Sequence, residues 1–260
     1  MKIMYDGTMF HGWQIQPNGI TVQEAVETTL SKLLNEKISV TGCSRTDAGV
    51  HAKEYYFNFF SNTKIPAEKL PYAFNNTIFS LDGVFSGISA LEAFDVFEDF
   101  NARFSSCGKR YVYKIHNSKV LNPFTSRYSW YFPYKLDISK MRKAAECFCG
   151  TFDFSAFMAA GGSQKTTVRT VKKLCVEKSS EWRDEIFVSI EADAYLYNME
   201  RIITGTLCEV GCGRILPEDV SGIIKSGNRK NAGMTAPPEG LFLDRVFYPE
   251  NIFLRSEKND

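Results

Sequence analysis

The chain has 260 residues, and lysine plus arginine against aspartate plus glutamate gives 31 − 30 = +1. A hydrophobic fraction of 44% with 14% aromatics excludes a disordered chain and supplies apolar surface for one large domain or two modest ones. No apolar run approaches the roughly 20 residues of a membrane span, and Met1 to Gln14 lacks the basic patch, apolar block and cleavage site of a signal peptide.

In chain order, Thr21-x-x-Glu24 is a capping box followed by Val22, Ala25, Val26, Leu30, Leu33 and Leu34 at helical spacing, which predicts a helix over 21–35. Residues 54–60 (EYYFNFF) are an aromatic-rich strand, and 110–116 (RYVYKIH) alternates as a strand does. Met141, Ala144, Ala145 and Phe148 line one face of a helix over 138–149 that stops at Gly150. A further strand is expected over 186–192. A helical stripe follows at Met199, Ile202, Ile203, Leu207 and Val210, with Arg201 at its edge and Gly211 at its end. Pro217 opens a short helix through Val220, Ile223 and Ile224 that Gly227 closes. Mixed strands and helices make the class α+β. A change from acidic to basic composition places a boundary near residue 104, giving units 1-104 and 105-260.

The seven cysteines are odd in number and scattered, the usage of a reduced, cytoplasmic protein. Cys147/Cys149 and Cys208/Cys212 match no zinc-knuckle spacing and fit the inward face of a helix, so no metal is expected.

Net charge near zero conceals local blocks. Residues 101–119 hold Arg103, Lys109, Arg110, Lys114 and Lys119 without an acid, and 163–173 hold Lys165, Arg169, Lys172 and Lys173 without one. Such runs are either solvated faces or phosphate-binding tracks, and Phe100, Phe104, Tyr111 and Tyr113 interleave with the first.

GGSQKT at 161–166 lacks the glycine directly before the lysine of a phosphate loop, and Gly-x-Ser-x-Gly is absent. Cys43 and His51 are a formal nucleophile–base pair with no orienting partner evident, and a cysteine hydrolase built on them would be blocked by thiol alkylation. His11 and His116 are isolated and fit structural roles. Ser44 to Ala52 forms a polar, glycine-containing loop between two ordered stretches, and Asp47-Ala48-Gly49 is a turn signal. Arg45, two residues before the acid, favours an ionised carboxylate even where water is excluded, and an anionic, partly desolvated aspartate suits covalent attack.

RTDAGVHA (45–52) resembles the nucleophile motif of the TruA-type tRNA pseudouridine synthases. YDGTMFHGWQIQPNGITVQEAVE (5–27), FNARFSSCGKRYVYKI (100–115), DAYLYNMERIITGTLCEVG (193–211) and AGMTAPPEGLFLDRV (232–246) resemble further blocks of that family in the same order over nearly the whole chain. The resemblance implies two similar α/β halves with antiparallel sheets flanking a central cleft. It also implies a cofactor-free homodimer acting on uridines 38, 39 and 40 of the tRNA anticodon stem-loop. It assigns Asp47 as nucleophile, Arg45 as its neighbour, Arg201 as the ion-pair partner of Asp47, and Tyr111 as the ring stacking on the target base. Phe100, Asn101, Ala102, Arg103 and Phe104, with Gly161, Gly162, Ser163, Gln164 and Lys165, are then tRNA contacts. Glu200 departs from the apolar residue expected beside Arg201, and Lys165 stands where arginine is common. A catalytically inactive RNA-binding relative would have lost the nucleophile, but Asp47, Arg45 and Tyr111 are all present.

Overall fold

A computed structural model describes residues 1–81, 87–162, 164–182, 184–250 and 252–253. The chain divides into two compact units, one of Met1–Cys107 with Leu243–Asp260 and one of Gly108–Phe242. The sequence suggests a single break near 104; by packing, the chain crosses over at Cys107 and returns at Leu243.

The first unit runs β1 (Lys2–Tyr5), α1 (Val22–Leu34), β2 (Thr41–Gly42), β3 (His51–Asn58), α2 (Leu70–Phe79) and β4 (Ile88–Glu92), and takes most of β10 (Leu241–Phe247). Its strands lie in the order β4-β1-β3-β10, with β2 paired to β3. β1 is antiparallel to both neighbours, with Ile3 opposite Tyr55 and Ala90. Thr21 caps α1 as its place suggests: its hydroxyl accepts the Glu24 N–H at 3.3 Å, and Asn35 closes α1 in the left-handed region. The apolar face of α1 (Val22, Ala25, Val26, Leu30) joins Ile3, Phe57, Phe74, Ile78 and Ile88, all wholly buried. Each large side chain among them contributes roughly 1.5–3 kcal/mol of transfer free energy. β3 starts earlier than its aromatic run because Ala52 already pairs with Tyr5, and it stops at Asn58, leaving Phe60 exposed.

The second unit runs β5 (Gly108–His116), β6 (Trp130–Tyr131), α3 (Ile138–Glu146), β7 (Gly150–Asp153), β8 (Val168–Lys178), β9 (Glu185–Ala192), α4 (Met199–Gly211) and α5 (Val220–Ser226). The order β5-β9-β8-β7 is antiparallel throughout, and the two-residue β6 adds to β5 in parallel. On β5, Tyr111, Tyr113 and Ile115 are buried and alternate with half-buried Arg110, Val112 and Lys114, so the two-residue period is real. α3 ends three residues before the expected stop. Beyond Glu146 the N–H groups of Cys147, Phe148 and Cys149 bond three residues back, a tightened last turn. Cys149 is therefore exposed rather than on an inward helix face, and Cys147 is half-buried, whereas Cys208 on α4 is fully buried as expected.

α4 is buried almost all round rather than along one stripe: Glu200, Thr204 and Thr206 lie inside with Ile202, Ile203 and Leu207. The segment leading to β10 covers it, the Gly233 N–H donating to the Thr206 hydroxyl at 2.9 Å and the Ala236 N–H to the Arg201 carbonyl at 3.0 Å. No described helix is long and apolar enough to cross a membrane.

Candidate active site

Asp47 lies in the connection between β2 and β3, half-buried, while Arg45 and Ala48 are exposed. The turn is closed by the Val50 N–H donating to the Asp47 carbonyl at 3.1 Å, with Gly49 at φ +78° in the third position. What holds the turn is residues 5–13. The Trp13 N–H donates to the Thr46 carbonyl at 3.1 Å and the Gly49 N–H to the Phe10 carbonyl at 3.2 Å. Tyr5 and Thr46 share a buried hydroxyl–hydroxyl bond of 2.8 Å.

Gly12, at φ +83°, passes so close that a Cβ there would lie 2.5 Å from the Thr46 carbonyl oxygen, and one on Gly7 would lie 2.0 Å from that of Val50. Only glycine lets the two backbones approach in this way. The same segment ties the loop to α1, because the N–H groups of Val22 and Gln23, otherwise without helical partners, donate to the carbonyls of Gly12 and Trp13.

The loop's two ends are anchored by side chains. The Tyr55 hydroxyl donates to the Ser44 carbonyl, and its ring stacks on Trp13 at 4.1 Å between centroids. At the other end His51, 1% exposed, accepts the Gly7 N–H on Nδ1 at 3.0 Å, with Asp6 Oδ1 3.1 Å from the same nitrogen. Cys43 is wholly buried and its sulfur accepts the Tyr56 N–H. These contacts give the thiol and the imidazole structural surroundings. His116 likewise bonds the Val120 carbonyl through Nε2 at 3.1 Å.

In the second unit Tyr111 is buried on β5, its ring meeting Tyr195 edge-on at 4.8 Å. The Tyr195 hydroxyl points at the carbonyls of Lys109 (3.0 Å) and Ile190 (2.8 Å), and burial pushes its titration well above the usual phenol range, so it stays a neutral donor. Tyr195 belongs to the turn that leads from β9 into α4. There Asn198, at φ +59°, precedes the first helical turn, and Arg201 donates from Nη1 to Asn198 Oδ1 at 2.8 Å and from Nε to the Ala236 carbonyl at 2.7 Å. Tyr111 and Arg201 are thus brought to one end of this unit through Tyr195 and Asn198. Glu200 is buried (4% exposed) with a long 3.5 Å bond from the Thr204 hydroxyl.

The segment 100–104 belongs to the first unit and is a rigid turn. Asn101 Oδ1 accepts the N–H groups of Arg103 and Phe104 at 3.0 and 3.1 Å, the Ala102 N–H donates to Asn58, and the Ala102 carbonyl accepts the Tyr248 hydroxyl. Phe100 and Ala102 are buried, so Arg103 and Phe104 are the side chains presented outward, with the guanidinium 5.3 Å from the centre of the Phe104 ring. In the second unit Gly161, Gln164 and Lys165 are exposed and Gly162 is half-buried, while Ser163 lies outside the described residues.

Sequence reasoning alone overlooks Gly7, Gly12, Tyr55, Tyr195 and Asn198. The signal they carry is positional: two glycines between a strand and a capped helix, and an Asn directly before a helical stripe.

A family model described as tRNA pseudouridine synthase matches residues 144–249. Over 246 residues, 95% of this chain and 97% of the relative, the sequence is 47% identical to tRNA pseudouridine synthase A of Thermoanaerobacter sp. (strain X514). With the same coverage it is 43% identical to the Acetivibrio thermocellus protein of that name and 44% to that of Clostridium botulinum (strain Eklund 17B / Type B). Matches of this coverage take in both units, and the chain belongs to the tRNA pseudouridine synthase A family.

Proposed function

We propose that this chain isomerises uridines 38, 39 and 40 of the tRNA anticodon stem-loop to pseudouridine, with Asp47 as the nucleophile. The observation that carries the reading is the fixation of the Asp47 turn. A half-buried carboxylate sits on a loop clamped by backbone bonds from residues 10 and 13 and by a buried Tyr5–Thr46 bond. Fixed geometry of this kind is what nucleophilic attack requires.

The reaction breaks the C–N glycosidic bond, turns the uracil, and forms a C1′–C5 bond, with the C5 proton transferred to N1. Atoms and electrons balance within the nucleoside, so the chemistry calls for no cofactor. Asp47 attacks either the ribose C1′ or the uracil C6. Unstacking the target base costs a few kcal/mol, and Tyr111 offsets this as an aromatic platform. Arg45 and Arg201 are the cations assigned to the carboxylate, and residues 100–104 and 161–165 the RNA contacts. The family resemblance supports a homodimer working in the cytoplasm.

Incubation with unmodified tRNA followed by mapping of pseudouridine tests the substrate. Asp47→Asn keeps the turn and removes the charge, so product should vanish while tRNA binding persists. Residual turnover within tenfold of wild type would place the nucleophile elsewhere.

A further inference from the structure

The basic run at 163–173 contains two kinds of cation. Lys165, Lys172 and Lys173 are exposed, as a solvated face would have them. Arg169 is 8% exposed on β8, opposite Phe152 of β7. Its Nη1 donates to the carbonyl of the preceding Val168 at 2.6 Å, while its Nε is buried without a hydrogen-bond partner. No described carboxylate forms an ion pair with it. A guanidinium does not shed its proton inside a protein, so this is a buried charge with no ion-pair partner among the described residues.

Comparison with other arginines of the same unit shows how unusual this is. Arg229, also largely withdrawn from water, donates to the carbonyls of Ala232 and Gly233 and to the Thr235 hydroxyl. Arg214 pairs with Glu209 at 3.0 Å. The two acids closest to Arg169 in sheet register are already engaged. Asp153, opposite Val168, accepts from Ser155 and Thr167, and Asp193 accepts the N–H groups of Thr170 and Ala194 at 3.0 and 2.6 Å. Asp193 also places Arg169 in the fold. Its N–H donates to the Thr170 carbonyl, and it opens the turn that carries Tyr195 against Tyr111 and leads to Arg201. The uncompensated cation therefore stands at the end of the second unit that holds Tyr111 and Arg201.

We propose that Arg169 binds a backbone phosphate of the RNA and that this phosphate is the counter-charge the fold leaves out. A planar guanidinium whose Nε–H has no protein partner is matched in fork geometry to a phosphate's oxygens. Burial of its stem fixes the fork before the RNA arrives, so little side-chain freedom is lost on binding. The inference rests on tRNA being the substrate but not on Asp47 being the nucleophile.

The test is the salt dependence of unmodified-tRNA binding in wild type, Arg169→Met, Arg169→Gln and Arg169→Lys, with thermal unfolding of each. Both neutral variants should fold with no loss of thermal stability and flatten the slope of log K against log salt by about 0.9, one phosphate's share. Lys should keep the slope. An unchanged slope in a folded neutral variant overturns the proposal. So does failure of both neutral variants to fold, which would make Arg169 a structural cation. Wild type that binds tRNA yet makes no pseudouridine would defeat the proposed activity and leave this comparison intact, whereas wild type that does not bind tRNA would defeat both.

Discussion

Two connections between paired strands carry proposed roles, and they are built by opposite means. The β2–β3 connection with Asp47 is clamped along its length, by Trp13 and Phe10 backbone bonds, the Tyr5–Thr46 hydroxyl pair, and the Tyr55 and His51 anchors at its ends. The β7–β8 connection with residues 161–165 is held at its stem, where the Phe154 N–H donates to the Thr167 carbonyl, and by the Ala159 N–H to the Tyr197 carbonyl. Gly161, Gln164 and Lys165 are exposed there, and a Cβ on Gly161 would meet nothing within 4 Å. A nucleophile must be held to within a fraction of an ångström, whereas a phosphate contact tolerates a tip that adjusts to the RNA. The clamping therefore follows the chemistry each loop is assigned.

The sharpest way to break this contrast is one added methyl group in each loop's surroundings. Gly12→Ala sets a Cβ 2.5 Å from the Thr46 carbonyl on a residue at φ +83°, so the clamp or the loop must move. A displacement near 1 Å costs on the order of 100-fold in turnover, and tRNA affinity should change little. Gly161→Ala, at φ +88° but in open space, should cost roughly 1–2 kcal/mol of stability from backbone strain and leave turnover within twofold. Steady-state kinetics on both variants decide it: equal effects on turnover would mean that clamping is incidental to catalysis.

A smaller effect is expected at the loop's first anchor. Tyr55→Phe keeps the ring on Trp13 and removes the hydroxyl that donates to the Ser44 carbonyl. Loss of that bond should lower unfolding stability by roughly 0.5–1.5 kcal/mol in a denaturant titration. Turnover should fall several-fold, since the turn keeps its Trp13 and Phe10 bonds. Stability indistinguishable from wild type would show that Ser44 is held without Tyr55.

Much of this architecture is legible in the residues because local chemistry decides it. The Thr21 cap, the alternation of β5 and the glycine stop of α5 need no tertiary knowledge. Asp47 is singled out by the resemblance of RTDAGVHA (45–52) to a family motif, since an Asp-Ala-Gly turn by itself is an ordinary structural signal. The rest depends on partners distant in sequence. α2 begins with Leu70-Pro71 and carries Asn75 and Asn76, weak helix formers, yet forms because Phe74 and Ile78 are wholly buried and Asn75 bonds both polar groups of Ala90. β8 holds three lysines and an arginine and has no alternating signature, but it pairs with β9 from Val171 to Lys178. The clamp at Gly7 and Gly12 is silent in sequence, since a glycine does not announce which backbone approaches it.

The smallest effect should arise at the stem of the β7–β8 connection. Asp153, exposed at the end of β7, has its carboxyl held below the ordinary 3.8 by a hydrogen bond from the Thr167 side chain and then by the Ser155 N–H. A depressed folded-state value means the ionised form is the one the fold favours. Its contribution is present above the ordinary carboxylate value and is lost as pH falls through the lower folded value. Solvent screening at an exposed site limits it to a few tenths of a kcal/mol. Asp153→Asn keeps an oxygen for Ser155 and removes the charge. The variant should therefore be slightly less stable than wild type at neutral pH and converge with it on acidification below about pH 4. Denaturation midpoints of both proteins across that range are the measurement, and a gap that stays constant or widens in acid contradicts the assignment. Turnover at neutral pH should not change, because Asp153 has no part in the proposed chemistry.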